Sequence, residues 1–333
     1  MSYITGGIDP QLAIALGQFD NIQHKNIFGI QFDASTGNVP VDIWSIPKTY
    51  TPPTSAQAID VTAGANDAGG LVSSGLVSTA SLTQIIDSTA DFIADGVIAG
   101  DIVLNDTNQD HSIVVSVVSA NVLNVLPMHH GNINEIGGAY RIVNIKGTGA
   151  AVVHINDGLD ANLDPQSEFI ILDTTNKVTT VNQYSRINLA QIHGVGADGS
   201  NSGDIDFTAQ IDGNIVEQIP AGYGQSANTH YTIPRGYDGY ITNIAASLYR
   251  VGAASDAMAQ ISIYERIYDG LGYGSNGNWV RGVFGISLFG ASGKTFNPYM
   301  KVNEFSDIWM RVEDVSDNDS IVSGSYDLIL VKK

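Results

Sequence analysis

The chain has 333 residues, of which 43% are hydrophobic and only 15% charged, with 36 glycines and no cysteine. Its 34 acidic residues outweigh 15 basic ones, for a net charge of −19; this argues against direct nucleic-acid binding, which runs on clustered Lys and Arg. The lack of cysteine excludes disulfides and thiolate chemistry. Low charge, many glycines and frequent Val, Ile, Thr and Tyr predict an all-β protein with large buried faces.

Residues 1–25 read as an N-terminal arm. Within it, Asp9 as cap, Pro10 at the first helical position and Gly17 as terminator frame a short apolar helix over 11–16. Such a helix should pack on its own subunit or reach a neighbour or an inner surface. The first basic residue is Lys25, so no cationic region precedes an apolar core. Synthesis in a cytoplasm is the expectation. No uninterrupted apolar run reaches the length of a membrane-spanning helix.

Strand signals begin with the alternation of Ile27, Phe28, Ile30 and Phe32 and the run Val41, Asp42, Ile43, Trp44. Pro52 and Pro53 forbid central-sheet pairing there. Ala58 to Val61 resumes a strand, and Asn66 to Gly70 breaks it. The segment 71–145 has a different tone, with seven acidic residues and one basic residue, Arg141. Its short strand runs, as in Gly100 to Asn105 and Ser112 to Val118, imply a small β domain inserted into a host sandwich and exposed on its own. The host is expected over 26–70 and 146–200, resuming with Ala150 to Ile155 and ending in the Gly-, Asn- and Ser-rich stretch 194–203. Eight further runs between 204 and 331 predict a second sandwich over 201–333. The fold class is therefore all-β, two antiparallel jelly-roll-like sandwiches with a small inserted β domain. The two halves are expected to share one topology.

Chemical motifs mostly fail on position. Gly293, Lys294 and Thr295 mimic a phosphate loop, but Leu288 stands where its first glycine belongs. Gly224, Gln225 and Ser226 lack the second glycine of a nucleophile elbow. Asp106, Asn108 and Asp110 open like a calcium loop, yet His111 replaces the required glycine and Val117 the bidentate Glu. Asp314, Asp317 and Asp319, beside Glu313, are the candidates for a metal site. The seven histidines are scattered, and adjacent His129 and His130 would point to opposite faces of a strand. No catalytic residue and no cofactor is assigned, so the protein is not expected to be an enzyme. Trp44, Trp279 and Trp309 are expected in the core, with stacking on a sugar or receptor as the alternative for Trp279.

Three stretches carry a resemblance. Val41 to Trp44 followed by Tyr50, Thr51, Pro52 and Pro53 is similar to the opening of a virion structural protein family of aquatic bacteriophages. Gly158, Leu159 and Asp160, with Glu168 and then Arg186, Ile187 and Asn188, resemble that family's middle. Tyr231 to Gly236, Ser306 to Ile308 and Tyr326 to Val331 resemble its C-terminal half. The inserted segment is similar to a small β-module of other phage structural proteins. Size and layout also resemble the double jelly-roll major capsid proteins of icosahedral phages. The resemblance implies homotrimeric capsomers of an icosahedral shell, made in the host cytoplasm and located in the virion. Neighbouring capsomers and other virion proteins are the implied partners, and an internal membrane is a further one through the N-terminal arm. The alternatives are an accessory virion protein (a decoration, spike or receptor-binding fibre component) and a carbohydrate-binding β-sandwich protein.

Overall fold

The computed structural model describes residues 21–129, 134–250, 257–267, 277–287 and 290–333. The arm helix expected over 11–16 lies outside them. Among the described residues there is no helix, and every strand pairing resolved in register is antiparallel.

The strands open with β1 (Ile22–Ala34), β2 (Val41–Asp42) and β3 (Ile59–Thr62). The inserted segment supplies β4 (Gly69–Leu76), β5 (Gln84–Ile86), β6 (Ile102–Asn105), β7 (Asp110–Ser119), β8 (Val122–Val125) and β9 (Ala139–Ile145). There follow β10 (Ala150–Leu159), β11 (Pro165–Ile171), β12 (Val178–Thr179), β13 (Arg186–Val195), β14 (Ile205–Ala209) and β15 (Ile215–Ile219). The last set is β16 (Tyr231–Thr232), β17 (Tyr237–Arg250), β18 (Met258–Ile267), β19 (Trp279–Ser287), β20 (Ala291–Val302), β21 (Ser306–Val315) and β22 (Ser320–Lys332).

These strands form two compact units, one of residues 21–52, 162–165 and 227–333, the other of 53–161 and 166–226. In the first unit one sheet has the order β1-β22-β17-β20 and the other β16-β21-β18-β19, with β2 also on β21. Short β2 and β16 lie along the same strand, Val41 opposite Val312 and Tyr231 opposite Ile308. They act as one edge strand, cut in two where the chain leaves for the second unit. Counted that way, the eight positions in chain order pair 1 with 8, 2 with 7, 3 with 6 and 4 with 5. That nesting is a long hairpin rolled into two facing sheets, a jelly roll. The strands earn their places by alternation. In β22, Val322, Tyr326, Leu328 and Leu330 are buried while Ser323, Ser325, Asp327 and Ile329 are only partly so. Their inward side chains meet Ile241, Ile244, Ile261, Ile263, Met310 and Val312 in one apolar core.

The second unit has a sandwich and a third sheet. Sheets β11-β10-β13 and β12-β3-β14-β15 enclose a core that includes Ile59, Val61, Val153, Ile155, Tyr184 and Phe207. Buried Asp67 secures one end of it, accepting hydrogen bonds from the backbone N–H groups of Ala150 (2.7 Å), Ser202 (2.8 Å) and Gly203 (3.3 Å). The inserted segment forms the sheet β4-β9-β6-β7-β8-β5 over its own core of Ile85, Phe92, Val103, Leu123 and Ile142.

Strand pairing crosses the boundaries drawn from the sequence. Strand β1, placed there with the first sandwich, pairs with β22 along nearly its whole length. Strands β14 and β15, placed with the second, pair through β3. The Gly-rich stretch 194–203 is thus a connection inside one unit. The two sandwiches also differ in strand order, so the halves do not repeat one topology. The inserted sheet does not stand apart from its host. Its Ile102, Leu104 and Val143 are buried against Ala151, Val152 and Phe169 of β10 and β11. Strand β10 is consequently buried on both faces, with Val153 and Ile155 toward the sandwich core and Val152 toward the insert.

Candidate functional site

The contact between inserted sheet and host gathers four of the seven histidines. Direct pairing puts Val152 opposite His193, and residues opposite one another share a face. His154, two residues along β10, lies on that face as well. On the inserted sheet, Ile102 pairs with Ile113 and Leu104 with His111, so His111 shares the face that Ile102 and Leu104 turn to the host. His129 follows β8, and its backbone N–H donates to the His111 carbonyl at 3.0 Å.

The rings form a chain of contacts. His111 lies 5.0 Å from His129 and 4.1 Å from His193, between centroids. His193 lies 5.5 Å from His154, which stacks on Phe169 at 4.0 Å. Beside them Asp110 is fully buried and accepts the His111 backbone N–H at 2.8 Å. Ligand-capable atoms of Asp110, His111 and His129 all lie within 4.8 Å of one another. Exposure grades outward, with Asp110 buried, His111 intermediate and His129 exposed. Arg141 braces the site's flank, donating to both carboxylate oxygens of Asp106 (2.8 and 2.7 Å) and to the Phe169 carbonyl (3.0 Å). Gly194, next to His193, has φ +68 and sits so close to Ile102 that a Cβ there would collide with it. That backbone needs glycine both for its left-handed conformation and for the approach of the two sheets.

The sequence candidates fall elsewhere. Asp314 is exposed near the end of β21, Asp317 pairs with Arg250 at 3.3 Å, and Asp319 occupies a turn with φ 57. Their carboxylates do not form the metal-capable group found among the described residues. The calcium-like stretch is the tight β6–β7 turn, where the Asn105 side chain accepts from the N–H groups of Thr107 and Asn108. Gly293, Lys294 and Thr295 lie within β20, paired to β17, and not in a loop.

The first unit holds a different ring arrangement. Tyr50 stacks on His230 at 4.1 Å, His230 on Trp309 at 5.5 Å, and Trp309 on Tyr264 at 5.2 Å. Beneath the column, buried Asp42 meets His230 at 3.3 Å and Arg311 at 3.5 Å and accepts the Tyr50 N–H at 2.8 Å. Trp44 and Trp309 are buried as expected, whereas Trp279 is 46% exposed on edge strand β19. The column is packed around the Asp42 contacts; in the histidine cluster Asp110, His111 and His129 are metal-capable donors with a solvent-facing side.

No protein-family model matches the chain, and no curated protein does. Among solved structures, a chain of the T13 IBDV viral particle is 6% identical with a TM-score of 0.22, covering 81% of this chain and 72% of that one. The phage phi92 endosialidase is 10% identical with a TM-score of 0.13, covering 98% of this chain and 60% of that one. Likenesses at these scores fix neither fold nor function.

Proposed function

We propose that the protein is a structural component of a virus particle, a capsid-type jelly-roll protein that associates with copies of itself and has no catalytic role. The nested strand pairing of the first unit carries this reading. Jelly rolls of this kind recur in viral capsid and lectin domains and in cupins. The step from fold to role is one of analogy. Ile, Val, Leu and Met side chains fill the space between the two sheets, which favours a building block over a barrel that holds a substrate. Edge strand β19 carries Trp279, Val280 and Val283, each about half exposed. On β20, the edge of the facing sheet, Tyr299 is exposed to a similar degree. Apolar side chains on sheet edges call for cover, which neighbouring copies of the chain would supply. Trimeric capsomers, with other virion proteins as further partners, complete the reading.

A second reading, an accessory virion protein that binds a glycan receptor, is favoured by one observation. A surface pocket of about 670 Å³ is lined by Asn243, Thr295, Asn297, Tyr299 and Asp327, a mixture of amide, hydroxyl, carboxylate and aromatic groups. Light scattering and electron microscopy of the purified full chain test the first reading. Trimers that associate further into curved sheets or closed shells are the expected result. A protein that stays monomeric at tens of micromolar in physiological salt would overturn it, and selective glycan binding by that monomer would establish the second.

A further inference from the structure

We propose that Asp110, His111 and His129, with His193 as fourth ligand, bind one divalent cation of the late first transition row, and that the bound ion fastens the inserted sheet to β13. The inference does not depend on the reading of the protein as a virion component.

The donor set selects the class of ion. Calcium and magnesium take shells of oxygen ligands, whereas imidazole suits zinc, nickel and copper. Two imidazoles and one carboxylate form the group in place. Ligand atoms around a tetrahedral zinc sit about 3.3 Å apart. Since the three donors already lie within 4.8 Å of one another, small side-chain rotations close the distance. Two backbone features hold the group ready. The His129 N–H to His111 carbonyl bond fixes the spacing of the two histidines, and the His111 N–H orients the Asp110 carboxylate. A ligating carboxylate held by a hydrogen bond, as Asp110 is, is characteristic of metal sites.

His193 stands beside this group on the host side, its own ligand atoms outside the 4.8 Å set, and a swing of its ring toward His111 would bring it in as the fourth ligand. Its ring centroid is 4.1 Å from that of His111, nearer than His129's, yet it arises from β13 and not from the inserted sheet. Ligation by His193 would therefore join two sheets that otherwise meet through apolar contacts and Arg141. The gradient from buried Asp110 to exposed His129 supplies the entry path that a metal site requires.

The test uses the full chain, freed of any affinity tag and stripped with chelator, with zinc as the probe. Calorimetry and native mass spectrometry are expected to show one zinc per chain. The thermal midpoint should rise by roughly 5 °C when free zinc is about a hundredfold above Kd. His129→Gln, at an exposed position, should abolish the zinc-dependent rise, measured against that variant's own metal-free midpoint. His193→Gln should weaken zinc by about tenfold or more and alter the visible absorption of the cobalt-substituted protein. No zinc, nickel or copper binding by the unaltered chain would overturn the site, as would binding that His129→Gln leaves intact. A His193→Gln protein with unchanged affinity and an unchanged cobalt spectrum would overturn the fastening of the two sheets.

Discussion

The two units bury their strands in different ways. In the jelly roll β22 has one face on the core and alternates buried and part-buried residues along its length, while β21 is covered on both faces only over Ser306 to Met310, where the aromatic column packs on it. In the second unit β10 lies between two layers and is buried at nearly every position. A strand with one covered face writes a period of two into the sequence, and a strand with both faces covered writes a continuous apolar run. Ala150 to Ile155 is such a run, and His154 within it is the polar residue that marks where the second layer meets the strand. The contrast explains why the histidine cluster belongs to the second unit. A third layer creates an internal contact between sheets where polar side chains can converge, whereas the core of a two-layer sandwich is filled by apolar ones.

The largest expected effect asks whether the two cores are separate. Phe207→Ala should destabilise the second unit by about 3–5 kcal/mol, and Met310→Ala the first by about 2–5 kcal/mol. Both side chains are fully buried, in different clusters. Urea unfolding followed by tryptophan fluorescence and circular dichroism should resolve two transitions, each variant moving only its own. A single transition shifted by both would break the comparison. Asp67→Ala should cost the second unit about 3 kcal/mol, because it strands backbone N–H groups at a buried site. Asp67→Asn should recover part of that loss, read in the same unfolding experiment.

A finer contrast lies along single strands. Val152→Ala and Val153→Ala, on opposite faces of β10, should each cost about 2 kcal/mol, since both faces are packed. On β22, Ile329→Ala should cost less than about 1 kcal/mol, while Leu328→Ala should cost several times as much. Equal penalties at Ile329 and Leu328 would mean that another layer covers β22 as well.

The smallest effect is electrostatic. Asp60 on β3 is held below the ordinary carboxylate range, first by the hydrogen bond from the Lys177 ammonium and then by that from the Thr179 hydroxyl at 2.6 Å. A carboxyl depressed in the folded state contributes stability that is present above its unfolded pKa of about 3.9 and is lost as pH falls through the folded value. Lys177 is largely exposed, so Lys177→Ala should lower second-unit stability by less than about 1 kcal/mol at pH 7. The two proteins should converge once the pH falls below the depressed folded-state value of Asp60. A difference that persists there would point to lost packing of the lysine stem and not to charge.

The legibility of the molecule follows from the same physics. Fold class and most strands could be read because alternation, glycine and β-branched residues act locally, as in Ser112 to Val118 and Tyr326 to Val331. Partnership could not. Asn26 donates to Asp327 at 2.8 Å across 301 positions of sequence, and no local pattern encodes that pairing. The histidines were opaque for a similar reason, since His111, His129, His154 and His193 stand on separate chain segments that only sheet packing brings together. Strand parity offers a partial signal, because it puts His111 on the face of Ile113 and Val115. The opposing layer had to be known before that face meant anything. Trp279 was legible only by its setting, because its edge position and not its residue type leaves it exposed.

The divided edge strand made by Val41–Asp42 and Tyr231–Thr232 has a consequence for biosynthesis. A growing polypeptide emerges from the ribosome from its N-terminal end, and the second unit is drawn almost entirely from one continuous stretch. That unit can close while the remainder is still being translated. The jelly roll cannot, because β1 must wait for β22 and the first half of the split strand for β21. Contacts between such distant segments form slowly. During that delay β1 is an unpaired strand with Ile27 and Ile30 available to other nascent chains, so the interval before β22 arrives is when this protein is most exposed to misassembly and to chaperones.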